Sequence, residues 1–506
     1  MLSVLIWFPV IGALIISLLP QAQAAARGRQ VALVFATIVL VWTGVLVSQF
    51  DTSVAGFQFQ ESLTWIDQLG LSYKLGMDGL SLPLIVLNSL LVWLAIYSTD
   101  ANLNRPRLWY CLMLLLEAGV AGAFLSENLL LFFLFYEVEL IPLYLMVAIW
   151  GGARRGYAAT KFLIYTALSG ILILAAFFGL TLLSGTGSFD YAVLQNPALP
   201  IATQLVLLIT LLIGFGIKIP IVPLHTWLPD THVEAPTPAS VLLAGVLLKL
   251  GTYGILRFGL GLFPETWQIV APWLAWLAVV NVLYGSFVAI AQTDMKKIVA
   301  YSSVGHMGYI LLAAAAATPL SIAGAIAQMV SHGLISALLF LLVGVVYAKT
   351  GTRDVTVLRG LLNPERGLPL VGSLMIAGVM ASAGIPGMVG FIAEYIIYRS
   401  SLLVFPVQTL LCMLGVGLTA VYFLNLINRA FFGRLPDALA NLPAIYWKDR
   451  IPSIVVVVLV IFLGLQPNWM TRWSELTSLS LGTLDDRAIA AALAPRPLRR
   501  DLGIGN

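Results

Sequence analysis

Residues 211–257 read LLIGFGIKIPIVPLHTWLPDTHVEAPTPASVLLAGVLLKLGTYGILR, and the rest of the chain has to accommodate this stretch. An apolar run is interrupted by Gly214, Gly216, Lys218, Pro220 and Pro223. A polar hairpin with His225, Asp230, His232 and Glu234 is expected next, and a second apolar run then carries Lys249. A lysine at the centre of a membrane helix costs about 2.5–3.5 kcal/mol. Two of them in successive runs require compensating groups elsewhere in the chain.

Composition states what kind of chain this is. Of 506 residues, 60% are hydrophobic and 10% charged, with a mean hydropathy of +0.97. Soluble domains carry about 25% charged residues, so the chain reads as an all-α polytopic membrane protein. About fourteen apolar runs are long enough to cross a bilayer, a crossing taking roughly 20 residues. They lie near 2–20, 31–49, 81–99, 108–126, 128–149, 162–184, 202–224, 238–259, 270–291, 298–317, 320–347, 369–398, 404–428 and 451–469. Helices are expected throughout, because a helix satisfies its own backbone groups in lipid. The first run lacks a basic residue before it, so it is expected as a retained span rather than a cleaved signal. Loop 50–80 is expected to be ordered against the outer face, and 349–368 to be interfacial.

Charge placement orients the chain. With the N-terminus outside, the inner connections hold seventeen basic residues, among them Arg154, Arg155, Lys296 and Lys297. The outer ones hold three, Lys74, Arg257 and Arg399, leaving aside the C-terminal tail. That asymmetry follows the positive-inside rule. The net charge of +4 is spread over short loops and is no sign of nucleic-acid binding. No Walker or G-x-G-x-x-G motif follows a strand. Cys111 and Cys412 are too few for an iron–sulfur cluster.

Ionisable groups inside spans carry the functional signal, since they face bundle interiors or water. Here they are Glu117, Glu137, Glu139, Lys218, Lys249, His306, His332 and Glu394. Each has a plainer reading. Glu139 could be an interfacial anchor, because neighbouring helical positions point about 100° apart and only one of Glu137 and Glu139 can face the core squarely. A lone histidine can simply bond a neighbouring helix. Haem ligation by the four histidines and a metal site in the hairpin are weaker readings. Taken together, these groups would cost well over about 10 kcal/mol unpaired. A series of acid, lysine and histidine groups is the pattern of a proton relay. A carboxylate–lysine contact of about 4 Å is worth roughly 4 kcal/mol at an effective dielectric of 20, so moving one partner can release a proton.

The chain also repeats itself. Span 7 is interrupted at G-x-G-x-K-x-P-x-x-P and span 12 at G-I-P-G-M-V-G, just before Glu394. A spacing of five spans reverses topology, which predicts inverted repeats over 108–259 and 270–428. Residues 1–107 precede them, and 429–506 form a last span and tail. Broken helices at matching positions point to a transport path.

Four strings, LLFFLFYEVELIPLYLMVAIWGG, GIKIPIVPLHTWLPDTHVEAPTPASVLLAGVLLKLGTYGILRF, TDMKKIVAYSSVGHMGYIL and MVSHGLISALLFLLVG, resemble the antiporter-like subunits of complex I. A glutamate in span 12 and the chain length are similar to the chain 4 type of cyanobacterial NAD(P)H-quinone oxidoreductases. MLSVLIWFPVIGALI and SLTWIDQLGLSYKLGMDGLSLP look more like the variant of CO2-uptake complexes. The resemblance implies a proton-pumping subunit of a thylakoid membrane complex. It implies Glu137 as the partner of Lys218, Lys249 as the middle lysine, and Glu394 as the terminal group. His225, His306 and His332 would lie along the central axis, and Glu117 would be a further acid. It also implies no cofactor in this chain. Iron–sulfur clusters and plastoquinone would sit with partner subunits, ferredoxin would be the donor, and a CO2-hydrating subunit, other antiporter-like subunits and lipid would be neighbours. The competing expectation is a subunit of an Mrp-type cation/proton antiporter.

Overall fold

The computed structural model describes residues 1–100, 103–439 and 442–482; the tail arginines Arg487, Arg496, Arg499 and Arg500 lie outside the described residues. Each expected span position carries helix. Among the described residues, eleven helices are long and apolar enough to cross a membrane, and Ser3–Leu18 and Pro369–Ser382 are shorter apolar helices. The protein is therefore an integral, multi-pass membrane protein. The all-helical expectation misses one element. Loop 50–80 folds into an antiparallel hairpin, Gln58–Ile66 with Leu71–Met77, in which Leu63 faces Tyr73 and Ser62 faces Lys74. Its polar residues pair outside the spans, where backbone groups need no helix.

The bundle has a centre and a periphery. Thr237–Leu260 is wholly buried and Met295–Ala316 nearly so, whereas Ala26–Gln49 is buried over little more than a quarter of its apolar window. The spans that carry Lys249 and His306 are thus those enclosed by other helices. Pro319–Thr350 packs beside them, its first turn closed by a capping box of Thr318 and Ser321.

Three spans are interrupted. Span 5 divides at Glu139 into Leu129–Val138 and Leu140–Trp150. Span 7 runs as helix from Ile201 to Lys218 and then opens. The glycines expected to contribute to that break lie inside the helix instead. A Cβ at Gly214 would meet Ser169 O at 3.1 Å, so this glycine permits close helix approach. The break falls to Pro220 and Pro223, which offer no N–H to a continuing helix. The expected polar hairpin is a short helix, Trp227–Glu234. Span 12 divides between Pro369–Ser382 and Val389–Ser401, with Gly384 and Gly387 at φ +68° and +92°. The Lys249 span is continuous but changes pitch, with π-helical turns at Leu243–Leu247 and Ile255–Leu260 on either side of Leu248–Gly254. Such turns often occur at functional positions.

Candidate proton-conducting axis

Lys218 ends its helix where the proline break begins, and it is almost wholly buried. Its Nζ pairs with Glu139 Oε1 and lies 4.9 Å from the Tyr136 ring centre. Tyr136 OH is 2.8 Å from Ser169 Oγ, which donates to Gly214 O at 2.7 Å, so the acceptor side of the pair is braced against the Lys218 helix. The expected partner, Glu137, is thereby corrected to Glu139. The reason is angular: positions two apart on a helix point roughly 200° apart. The Glu137 carboxylate abuts Gly170 on the Arg155–Ser184 helix and stays partly exposed. Glu139 is no interfacial anchor, since it is fully buried at the break in span 5.

Lys249 is also fully buried. Its Nζ donates to Ala244 O at 2.5 Å, a carbonyl of the preceding π-helical turn, and lies 2.8 Å from His332 Nδ1. With an ammonium donor, Nδ1 accepts and the ring proton sits on Nε2. The His332 ring is 5.7 Å from that of His306, centre to centre. His306 Nε2 lies 3.0 Å from Ser382 Oγ, and its Nδ1 lies 3.6 Å from Glu394 Oε1. Ser382 is the last residue before the break in span 12, and Glu394 lies on the helix after it. A cavity of about 10 Å³ touches His306, Gln328, His332, Ser382 and Glu394, a size that holds about one water. Lysine, two imidazoles and a carboxylate thus follow one another across four spans.

The two lysine regions are joined by backbone. A Cβ at Gly251 would sit 3.0 Å from Phe215 O and 3.1 Å from Ile219 N, so the Lys218 and Lys249 helices touch through a glycine. Two expected members stand apart. His225 packs edge-on against Tyr284, 4.9 Å between ring centres. Glu117 is fully buried, and among the described residues its carboxylate oxygens have no hydrogen-bond partner.

The hairpin residues weighed as a metal site go to separate places. Asp230 Oδ2 accepts from Lys161 Nζ at 2.8 Å, and Glu234 Oε2 from the Arg154 N–H at 2.8 Å. His232 stacks on Phe340, 4.4 Å between centres. Among the described residues, no group of three or more His, Cys, Asp or Glu is placed to hold a metal. Cys111 and Cys412 lie on different helices.

Sequence reasoning missed two buried cations. Lys296, counted among inner loop residues, is buried and donates to Ala235 O at 2.6 Å and Ser240 Oγ at 3.3 Å. Adjacent lysines at a helix start diverge by about 100°, which was the available signal that one turns inward. Arg257, counted as an outer charge, is buried and pairs with Asp78 at 2.5 Å, beneath the rings of Phe57, Tyr191 and Tyr253.

The chain is similar in sequence and fold to known membrane subunits. Residues 126–420 match the model for the membrane domain of NADH:quinone oxidoreductase and Mrp antiporters. A Nostoc protein named NAD(P)H-quinone oxidoreductase chain 4 is 38% identical over 98% of this chain and 94% of its own length. In the respiratory complex I structure from Thermus thermophilus with bound NADH, one chain superposes with a TM-score of 0.86 at 27% identity, covering 95% of this chain and all of that one. A chain of the Mrp complex from Dietzia sp. has a TM-score of 0.83 at 21% identity over 97% of this chain and 98% of that one, a likeness of fold.

Proposed function

Because the chain belongs to the NADH:quinone oxidoreductase/Mrp antiporter family of membrane subunits, we propose that it translocates protons as the chain 4 subunit of a complex I-like NAD(P)H-quinone oxidoreductase. The observation that carries this reading is the sequence of contacts Lys249–His332–His306–Glu394. A group able to give up a proton stands at one end and a carboxylate able to take it stands at the other. Glu139 and Lys218 form the electrostatic trigger beside it. Inverted repeats over 108–259 and 270–428 would give the two regions opposite access to the membrane faces.

The mechanism follows from pairing. While Glu139 holds Lys218, the charge on Lys218 is offset. A charge shift arriving from a neighbouring subunit weakens that pair, and the uncompensated lysine raises the cost of a second cation at Lys249. Lys249 then gives its proton to His332 Nδ1, His332 passes one from Nε2 toward His306, and Glu394 receives it. Gln328 and Ser382 hold the His306 ring between them. On this reading iron–sulfur clusters and plastoquinone would be held by partner subunits, with ferredoxin as donor; the two cysteines of this chain are too few for a cluster. The complex would sit in a cyanobacterial thylakoid membrane. Co-purification with a CO2-hydrating protein would assign the CO2-uptake variant.

The test is quinone-reduction-driven proton uptake by vesicles containing the assembled complex. His332→Ala is expected to cut uptake several-fold with subunit content unchanged, and unchanged uptake would overturn the relay. The likeness of fold to an Mrp complex supplies a second reading as a cation antiporter subunit. Na⁺ or K⁺ exchange by the chain reconstituted alone would favour that reading.

A further inference from the structure

We propose that the groove beside the last membrane helix is a binding site for one anionic phospholipid. Two adjoining cavities carry the inference, and neither involves the proton-conducting groups. The first is a slot of about 200 Å³ between the helices Ser81–Ser98, Pro319–Thr350 and Trp447–Leu465. Leu87, Leu334, Leu463 and Met470 are among its walls, and every lining residue is apolar or aromatic. The second, of about 360 Å³, is lined by Phe50, Thr52, Asn468, Trp469, Arg472 and Trp473. Trp469 and Trp473 form walls of both, so the two spaces meet across one pair of indoles.

Their position gives the order of chemistry. Both lie at the end of the bundle that carries the β-hairpin, where the Gly79 N–H donates to Thr477 Oγ1 at 3.0 Å. The slot runs from there along the membrane helices toward Leu334, into hydrocarbon depth, and the polar cavity opens at the helix ends. Tryptophans mark the membrane–water interface, and an arginine there meets headgroups. Arg472 is exposed, and among the described residues its guanidinium makes no ion pair or hydrogen bond. A hydrocarbon-lined slot, an indole collar and a free cation in succession match a fatty acyl chain, its glycerol ester and a phosphate.

Lining and charge separate lipid from other occupants: the slot is wholly apolar, and the Arg472 guanidinium, unpaired among the described residues, stands beside the cavity that adjoins it. Pockets for compact drug-sized ligands start at about 300 Å³. A flexible acyl chain can follow the slot, whose walls present no polar group to satisfy.

The experiment uses the assembled complex, extracted in detergent, incubated with equimolar phosphatidylglycerol and phosphatidylcholine, and analysed for retained lipid by mass spectrometry. One arginine at a membrane surface is worth about a fivefold preference for the anionic lipid. The wild-type complex is expected to retain phosphatidylglycerol with that preference, and Arg472→Gln to reduce it toward one. Leu334→Trp, which fills the slot, is expected to remove about one lipid per complex. Should Leu334→Trp fail to assemble, the surface variant Arg472→Gln decides alone. Equal lipid content and equal selectivity in wild type and Arg472→Gln would overturn the proposal, as would a partner side chain found in the slot of the intact complex.

Discussion

Lys218 and Glu139 state the energetic problem of this fold in two residues. Removing one partner of a buried pair leaves the other charge uncompensated, at a cost of about 3–5 kcal/mol. Glu139→Gln is therefore expected to lower the melting temperature of the purified complex markedly. Glu137→Gln, at a partly exposed position against Gly170, is expected to change it little. Equal losses from the two variants would contradict the pairing. The identity of the buried groups was legible in the sequence, because each stood in an apolar run. Which of two glutamates meets Lys218 was not, because the helix itself is interrupted at Glu139 and the interruption sets the angle. Lys296 and Arg257 were misread for a related reason: charge near a span end looks like a loop charge until the helices around it are placed.

At the scale of elements, the breaks carry the argument. Gly384 has a positive φ, and a Cβ there would come within 2.8 Å of Glu394 Oε2. A left-handed residue with a side chain costs about 1–2 kcal/mol. Gly384→Ala is expected to displace the Glu394 carboxylate, and thermal denaturation together with proton uptake would register it. A variant with unaltered uptake would mean that the carboxylate position is not critical. The breaks in spans 7 and 12 were readable from their prolines and, in span 12, from its glycines as well. The π-helical turns around Lys249 were not, since LLAGVLLKLGTYG has the residues of an ordinary helix and tertiary packing sets its pitch.

The β-hairpin offers a pH test outside the membrane. Burial alone would raise the Asp190 carboxyl, but hydrogen bonds from Asn128 and Ser72 and the nearby Lys74 hold it below the usual carboxylate range. A depressed folded value contributes stability above the unfolded value, near 3.9, that is lost as pH falls through the lower folded value. Amide exchange in Leu71–Met77 is therefore expected to stay protected at neutral pH and to quicken only below about pH 4. Lys74→Met should move that loss to higher pH. Quickening near pH 6 would contradict the assignment.

Over the whole molecule, the polar groups form a line enclosed by the most deeply buried helices, while apolar residues face outward around it. The charge asymmetry and the spacing of the two proline-glycine motifs could be counted along the chain. The line itself, from Lys249 on one span to Glu394 four spans later, needed three-dimensional packing to appear. Its central element is Lys249, and Lys249→Met keeps the length of the side chain while removing the charge. The most direct measurement is protons taken up per quinone reduced by membrane vesicles containing the assembled Lys249→Met complex, beside wild type. The account predicts a ratio reduced by about one transported proton or more with subunit content unchanged; an unchanged ratio at unchanged quinone reduction would contradict it.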